Sequence, residues 1–267
     1  MPNEYITMAK ALRPKKSLGQ NFLVNEHIAE IEAAYASGRN VIEIGPGLGI
    51  LTRQLCKTSK KVLAVEKDTR VYNMLIERES HRNLKVLNSD FFSLTNEALD
   101  GFDIVVSNIP YQLSSKTLMW LSNHGMEAVL CLQKEFVEHM LAKPGTKKYS
   151  KLGVMMALTN KVTQIMKVPR SNFYPIPKVD SIIVLVKPLD RSISPKIASI
   201  IGMLMEHKKK RLKNAIADSS KYMGVSKEAA SRISDKIGNG EDRVFKLLPG
   251  QILEISGRIE KELKNMA

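Results

Sequence analysis

Ser107-Asn108-Ile109-Pro110-Tyr111-Gln112 follows the apolar run Phe102-Asp103-Ile104-Val105-Val106. An apolar strand that ends in an amide, a rigid proline and a large aromatic fits either a plain turn or one wall of a pocket that grips something flat and polar. Asn108 carries a carbonyl acceptor and an amide donor. Pro110 fixes its own φ and so directs the Ile109 carbonyl outward. Tyr111 offers a face on which a planar ring stacks, worth roughly 1–3 kcal/mol when that ring is a nucleobase.

A second group of residues surrounds the glycine-rich stretch "VIEIGPGLG", which places Gly45, Gly47 and Gly49 directly after an apolar strand. Such glycines let the backbone turn tightly and approach a ligand closely. Nineteen residues past Gly47, Glu66 ends the next apolar run. A carboxylate there accepts hydrogen bonds from both ribose hydroxyls of a nucleoside. The spacing is G-x-G-x-G, not the dinucleotide G-x-G-x-x-G, and Glu43 lies inside the strand just before the turn. A carboxylate at that place suits a ligand with a cationic end better than a pyrophosphate, and S-adenosylmethionine has that end. Asp90, in "NSDFF", follows the third strand. Its carboxylate can accept from an adenine amino group, with Phe91 packed on the ring. Each acid alone reads equally well as a helix cap or turn former; three at successive strand ends form a nucleoside site. An NAD enzyme is the competing reading. It would want the other glycine pattern and a proton-handling residue, yet the histidines at 27, 81, 124, 139 and 207 all fall outside these motifs.

Taken together, the two groups describe methyl transfer to an exocyclic adenine amine. That amine is a poor nucleophile because its lone pair is delocalised into the ring. A site helps by accepting both N–H groups, which favours a pyramidal nitrogen with its lone pair aimed at the methyl group. Asn108 Oδ1 and the Ile109 carbonyl are the two acceptors. No strong general base is needed, so catalysis is positioning plus electrostatics.

The elements that must hold these residues are short apolar runs separated by helical patterns. Residues 40–45, 61–66, 84–88, 102–107 and 127–132 read as strands buried on both faces. Residues 161–168 and 180–188 follow with only a loop between them, too short for a crossover helix, so they are expected to pair antiparallel. The fold class is α/β, a doubly wound, mostly parallel seven-stranded sheet. Asn25 caps a helix over 25–35 whose apolar stripe is Ile28, Ile31 and Tyr35. After Pro188 only helical periodicities remain, with Ile197, Ile201, Leu204 and Met205 on one face and Ile252, Ile255, Ile259 and Leu263 on another. The expected domains are therefore 1–188, with the sheet, and 189–267, a small all-helical domain with the run "HKKKRLK" on one of its helices.

The 267 residues carry 41 Lys+Arg against 27 Asp+Glu, a formal net charge of +14, which favours a polyanionic partner such as nucleic acid. The densest run, His207 to Lys213, holds five cations in seven residues. Lys208, Lys209, Lys210, Arg211 and Lys213 are read as phosphate contacts that position RNA without reading sequence. A solvated helix face is the alternative. Cys56 and Cys131 read as reduced, buried thiols, which fits a cytoplasmic setting, and no Cys/His spacing suggests a metal site. No run approaches the about 18 apolar residues of a membrane helix, and the N-terminus lacks the apolar stretch of a secretory signal.

"KSLGQNFL", "EIGPGLG", "AVEKD", "NSDFF", "SNIPYQLSS", "KKYSKLGV" and "NFYPIPKVDSIIV" occur in this order. As a set they resemble the small-subunit ribosomal RNA adenine N6,N6-dimethyltransferases, the family that confers kasugamycin sensitivity in bacteria. The likeness is close over about 10–188 and loose beyond. It implies a class I, Rossmann-like methyltransferase using S-adenosylmethionine and acting, as a monomer, on the immature small subunit. By the same resemblance Gln20, Asn21 and Leu23 contact the methionine part of the cofactor, Gly45 and Gly47 form its loop, Glu66 holds the ribose and Asp90 the adenine. Asn108 to Tyr111 hold the target adenine, and Phe173 closes over it, although Tyr174 is adjacent and could take that place. Lys147 and Lys148, in "KKYSKLGV", become RNA-facing, where the plain reading is a solvated loop. DNA amino-methyltransferases usually carry a second proline where this chain has Ile109, a departure that points to the rRNA branch. The expected reaction is dimethylation of two adjacent adenosines near the 3′ end of small-subunit rRNA. A large-subunit rRNA methyltransferase and an assembly factor with secondary catalysis are the alternatives.

Overall fold

The computed structural model describes residues 3–237 and 240–266. Among these residues, nine strands form in chain order: β1 Phe22–Leu23, β2 Asn40–Ile44, β3 Lys61–Glu66, β4 Leu84–Asn88, β5 Ile104–Ser107, β6 Glu127–Gln133, β7 Asn160–Val168, β8 Phe173–Tyr174 and β9 Ser181–Pro188. Seven of them make one sheet in the order β4-β3-β2-β5-β6-β9-β7. Pairing is parallel from β4 through β6, and β9 joins β6 antiparallel. The expected α/β sheet of five parallel strands is therefore present, with β9 and β7 side by side beyond it.

Burial follows the apolar runs, with one difference. β2, β3, β5 and β6 are almost wholly buried, whereas β4 and β7 are half-exposed along their length. Both lie at sheet edges, where one side has no neighbouring strand. β1 and β8, not anticipated from sequence, pair antiparallel as a separate ribbon, Leu23 opposite Phe173 and Phe22 opposite Tyr174.

Helices of the first half are α1 Glu4–Leu12, α2 Glu26–Ala34, α3 Ile50–Thr58, α4 Thr69–Arg78, α5 Asn96–Leu99, α6 Ser114–His124 and α7 Lys134–Met140. Asn25 caps α2 by accepting from the His27 amide. The buried stripe of α2 is Ile28, Ala29, Glu32 and Ala33, rotated from the expected Ile28, Ile31 and Tyr35. The two alanines let α2 lie close on α3, which it contacts extensively, and Tyr35 is left exposed.

The chain folds as two compact units. One comprises the chain up to Val137 with Val162–Pro188; the other comprises Glu138–Lys161 and everything from Leu189 on. The expected division at 188 drew the first domain as continuous. Instead the segment holding α8 Lys151–Thr159 groups with the later helices, because α8 packs its Met- and Val-rich surface on them. These are α9 Pro195–Glu206, α10 Leu212–Asp218, α11 Ser220–Met223, α12 Lys227–Ile237 and α13 Pro249–Lys264. α8 contacts α9 and α13, and α10 contacts α12. Among the described residues, no helix is long and apolar enough to cross a membrane.

Candidate active site

In the sheet, β3 and β4 lie on one side of β2 and β5 on the other. Ligands of open α/β sheets bind at this switch point, beyond the carboxyl ends of the strands. A cavity of about 140 Å³ opens there, lined by Gln20, Asn21, Gly45, Gly47, Glu66, Asp90, Phe91, Asn108, Ile109, Pro110, Tyr111 and Phe173. Strand ends distant in sequence thus converge on one space.

The glycine turn is shaped for close approach. Gly45 and Gly47 have φ of 68° and 56°, where an L side chain is strained. A Cβ on Gly47 would stand 2.9 Å from the Phe22 ring. The Gly47 amide donates to Glu66 Oε2 at 3.4 Å, and the Asp68 amide donates to Glu66 Oε1 at 2.8 Å. Burial raises the Glu66 pKa, while these backbone donors oppose the rise. An ionised carboxylate has about four lone-pair sites, so acceptor capacity remains toward the cavity. Asp90 accepts from the Phe92 amide at 3.0 Å and from Lys67 Nζ at 2.9 Å. The Lys67 hydrogen bond holds its pKa below the usual carboxylate range. Phe91 is buried and braced edge-on by Phe92 and Trp120, with centroids 5.3 and 4.9 Å away.

Across the cavity stands the strand end of β5. Asn108 Nδ2 donates to Glu32 Oε2 at 2.8 Å, and Asn108 Oδ1 is buried with no partner among the described residues. An orphaned buried acceptor costs about 1–3 kcal/mol, which a ligand donor would recover. The Ile109 carbonyl likewise accepts nothing within the described chain. Tyr111 is held by a 2.8 Å hydrogen bond between its hydroxyl and Ser181 Oγ, and burial pushes its pKa up to about 12. Its ring is thereby fixed and its phenol stays neutral. Phe173, not Tyr174, reaches the cavity wall, because their alternation along β8 turns only Phe173 inward.

Two of the expected cofactor residues do not line this cavity. Leu23 packs in the apolar core. Glu43 is sealed within β2, receives the Thr52 hydroxyl at 2.6 Å and is raised to about 8 by burial, which keeps it neutral. Ile44 and Gly45 line the cavity, whereas Glu43, the residue before them, does not. Gln20 lines the cavity, but its amide spans Lys15 N and Asp68 Oδ2, at 2.7 and 3.0 Å. It therefore fastens the segment before β1 to the rim. Gln112 Nε2 bonds to the Ser17 carbonyl and Arg70 Nη1 to that of Leu12, at 3.1 and 2.7 Å, and reinforce that fastening.

Sequence reasoning missed Glu32, Ser181, Lys67 and Cys131. The first two hold Asn108 and Tyr111 in place; the last two line the cavity. For Glu32 a signal was present: it falls four residues after Ile28, on the apolar stripe of α2.

The expected RNA-contact residues all lie in the second unit. Only Leu212 and Lys213 of the run lie on a helix, at the start of α10: 207–211 form the turn between α9 and α10, laced to 242–245 by backbone bonds and the Arg211–Arg243 bridge. Lys208 is structural, since its Nζ donates to the carbonyls of Lys147 and Tyr149 at 3.2 and 2.6 Å. That bond sets the two basic segments side by side. Lys148 pairs with Glu138, Lys210 with Asp218, and Arg211 and Lys213 both with Glu241.

The residue constellation fits a nucleoside-bearing methyl donor facing an amine acceptor, and comparison with known proteins points the same way. A relative from Thermococcus onnurineus described as a probable ribosomal RNA small subunit methyltransferase A is 35% identical over 257 residues, 93% of each chain. The crystal structure of a dimethyladenosine transferase from Plasmodium falciparum superposes with a TM-score of 0.76 at 28% identity, covering 90% of this chain and 98% of that one. The 23S rRNA methyltransferase ErmE shares the fold with a TM-score of 0.61 at 23% identity, over 90% of this chain and 100% of its own. The family model of ribosomal RNA adenine dimethylase matches residues 11–261, so the chain belongs to the ribosomal RNA adenine dimethylase family.

Proposed function

We propose that the protein transfers methyl groups from S-adenosylmethionine to the N6 amines of two adjacent adenosines near the 3′ end of small-subunit rRNA, and leaves each dimethylated. The observation that carries this reading is the partnerless Asn108 Oδ1 beside the open Ile109 carbonyl, on the wall facing Glu66, Asp90 and the glycine turn. The small-subunit target is supported by the names of relatives that match over nearly the whole chain. The doubled target rests on the family likeness.

Gly45, Gly47, Glu66 and Asp90 would hold the cofactor, whose part in the reaction is to present an electrophilic methyl group. The target base lies between Tyr111 and Phe173, and Asn108 Oδ1 and the Ile109 carbonyl accept the N6 hydrogens. Those bonds localise the nitrogen lone pair and aim it at the methyl group. Tyr111, neutral and pinned by Ser181, contributes a fixed face at little entropic cost. The product ammonium is strongly acidic and loses its proton to water. The adenine must be unpaired or flipped out of its stack to enter. Lys147 and Lys209, exposed and outside the ion pairs described above, are the first phosphate contacts of the immature small subunit in this reading. The surface pairs of Lys148, Lys210, Arg211 and Lys213 are screened by solvent and individually weak, so phosphate can displace them. Action as a monomer in the cytoplasm completes the proposal.

The test is transfer of labelled methyl to undermethylated small subunits by wild type and Asn108→Ala, with nucleosides read by mass spectrometry. N6,N6-dimethyladenosine from wild type, and at least a 100-fold slower reaction by the variant, is the expected result. Label found only in large-subunit RNA, or none from either protein, refutes the reading.

A further inference from the structure

Glu32 is wholly buried on α2, on a face whose other buried residues are Ile28, Ala29 and Ala33. A carboxyl there is costly and needs a reason. Its one hydrogen-bond partner is Asn108 Nδ2, at 2.8 Å, and its Oε1 has none among the described residues. Replacing this side chain with an apolar one would satisfy the packing of α2 better than the carboxyl does.

The two ends of an asparagine amide are nearly the same shape, so packing alone hardly distinguishes Oδ1 from Nδ2 at a given place. For adenine methylation the distinction is decisive. An oxygen accepts the N6 hydrogen, whereas an NH₂ group would oppose it donor against donor. We propose that Glu32 is the positioning residue of this reaction: by accepting from Asn108 Nδ2 it locks the amide with Oδ1 as the unoccupied acceptor. This inference rests on the methyl-transfer reading of the site.

The same bond has an electronic consequence. A donor amide drawn toward an acceptor becomes more polarised, and its carbonyl oxygen becomes a stronger acceptor. Burial raises the Glu32 pKa to about 8, so the carboxyl is neutral at physiological pH. A neutral carboxyl still accepts through its carbonyl oxygen, and it brings no fixed charge to the wall. Glu43 and Cys131 are the titratable groups nearest in influence. Glu43 is also kept neutral by burial, and the Cys131 thiol is raised well above its usual range by burial.

The test compares Glu32→Leu, which keeps the volume and removes the acceptor, with Glu32→Gln, which keeps a carbonyl at the same reach. Expected for Glu32→Leu is unchanged cofactor affinity by calorimetry and a kcat lower by about 10- to 100-fold. Glu32→Gln should stay within about threefold of wild type, and Glu32→Leu should add less than about twofold to Asn108→Ala. A wild-type kcat in Glu32→Leu overturns the proposal, as does a loss in Glu32→Gln equal to that in Glu32→Leu, or an undiminished effect in the Asn108→Ala background. A second readout does not depend on activity. The Asn108 side-chain NH₂ resonances should show slowed hydrogen exchange in wild type and Glu32→Gln and lose it in Glu32→Leu. If wild type transfers no methyl to adenine, the function reading fails, and the NH₂ exchange still decides whether Glu32 holds the amide.

Discussion

Glu66→Gln separates cofactor holding from chemistry. The carboxylate accepts from the Asp68 amide at 2.8 Å and from the Gly47 amide at 3.4 Å. A glutamine has one acceptor oxygen, and the shorter bond claims it. The new NH₂ therefore faces Gly47, donor against donor, on the side of the glycine turn. Two losses follow at the cofactor. One ribose hydroxyl loses a charge-assisted acceptor, worth about 1.5–3 kcal/mol, and the turn is pushed away from its closest approach. At about 1.4 kcal/mol per decade, the cofactor dissociation constant should rise by roughly 10- to 150-fold. Stability should change little, because the desolvation that raises the Glu66 pKa is relieved as its backbone bond to Gly47 is lost. The target side of the site is untouched, so kcat at saturating cofactor should stay within about threefold. Calorimetric titration with S-adenosylhomocysteine and initial rates across cofactor concentration supply both numbers. A dissociation constant within threefold of wild type would refute the ribose assignment. A kcat reduced as far as kcat/KM would show that Glu66 acts on the transition state instead.

Three further outcomes concern charged side chains. Burial raises the Glu32 and Glu43 pKa values from 4.5 to about 8, so both stay protonated in the folded chain while the unfolded chain has ionised them. With more protons bound folded than unfolded, stability contributed by these groups falls as pH rises between about 5 and 8; urea unfolding should find Glu32→Leu gaining on wild type across that window, and a constant difference would contradict it. In the second unit, Lys208→Ala removes two carbonyl partners and should lower stability by roughly 1–3 kcal/mol. Lys147→Ala and Lys209→Ala should instead leave stability intact and each reduce the salt slope of RNA binding by about 1; the reverse pattern would move the RNA contact off this surface.

Most of the sheet was legible because buried parallel strands leave continuous apolar runs. "KVLAVE" and "LKVLN" match β3 and β4 residue for residue. β1 and β8 were not, since each is two residues long and exists only through pairing across about 150 residues of chain. The placement of α8 was equally hidden. Its sequence, "KLGVMMALT", is apolar nearly all round, so periodicity gave no face and no indication of which unit it serves. The basic run misled for a different reason. Lysines and arginines suit helices, but His207 to Arg211 are committed to a turn by backbone bonds from 242–245, which no local propensity records.

The site shows where composition stops and geometry begins. Glu66 and Asp90 were readable because a strand end followed by an acid is a local pattern, and their chemistry depends on pointing outward. Glu43 obeyed the same pattern one residue before the strand end. As the fourth residue of a five-residue strand it faces the sheet interior, where Thr52 completes it. Glu32 is the converse case. It sits 76 residues from Asn108, on a helix whose apolar stripe was drawn through the larger side chains. The alanines at 29 and 33 decide the true face, since small residues permit the close approach that bulky ones prevent. Once α2 is rotated to that face, a carboxyl otherwise destined for solvent lies against the amide that must choose between donor and acceptor. An acid on an apolar stripe is thus better read as a question about its partner than as a break in the pattern, and here the partner is the residue on which the proposed chemistry turns.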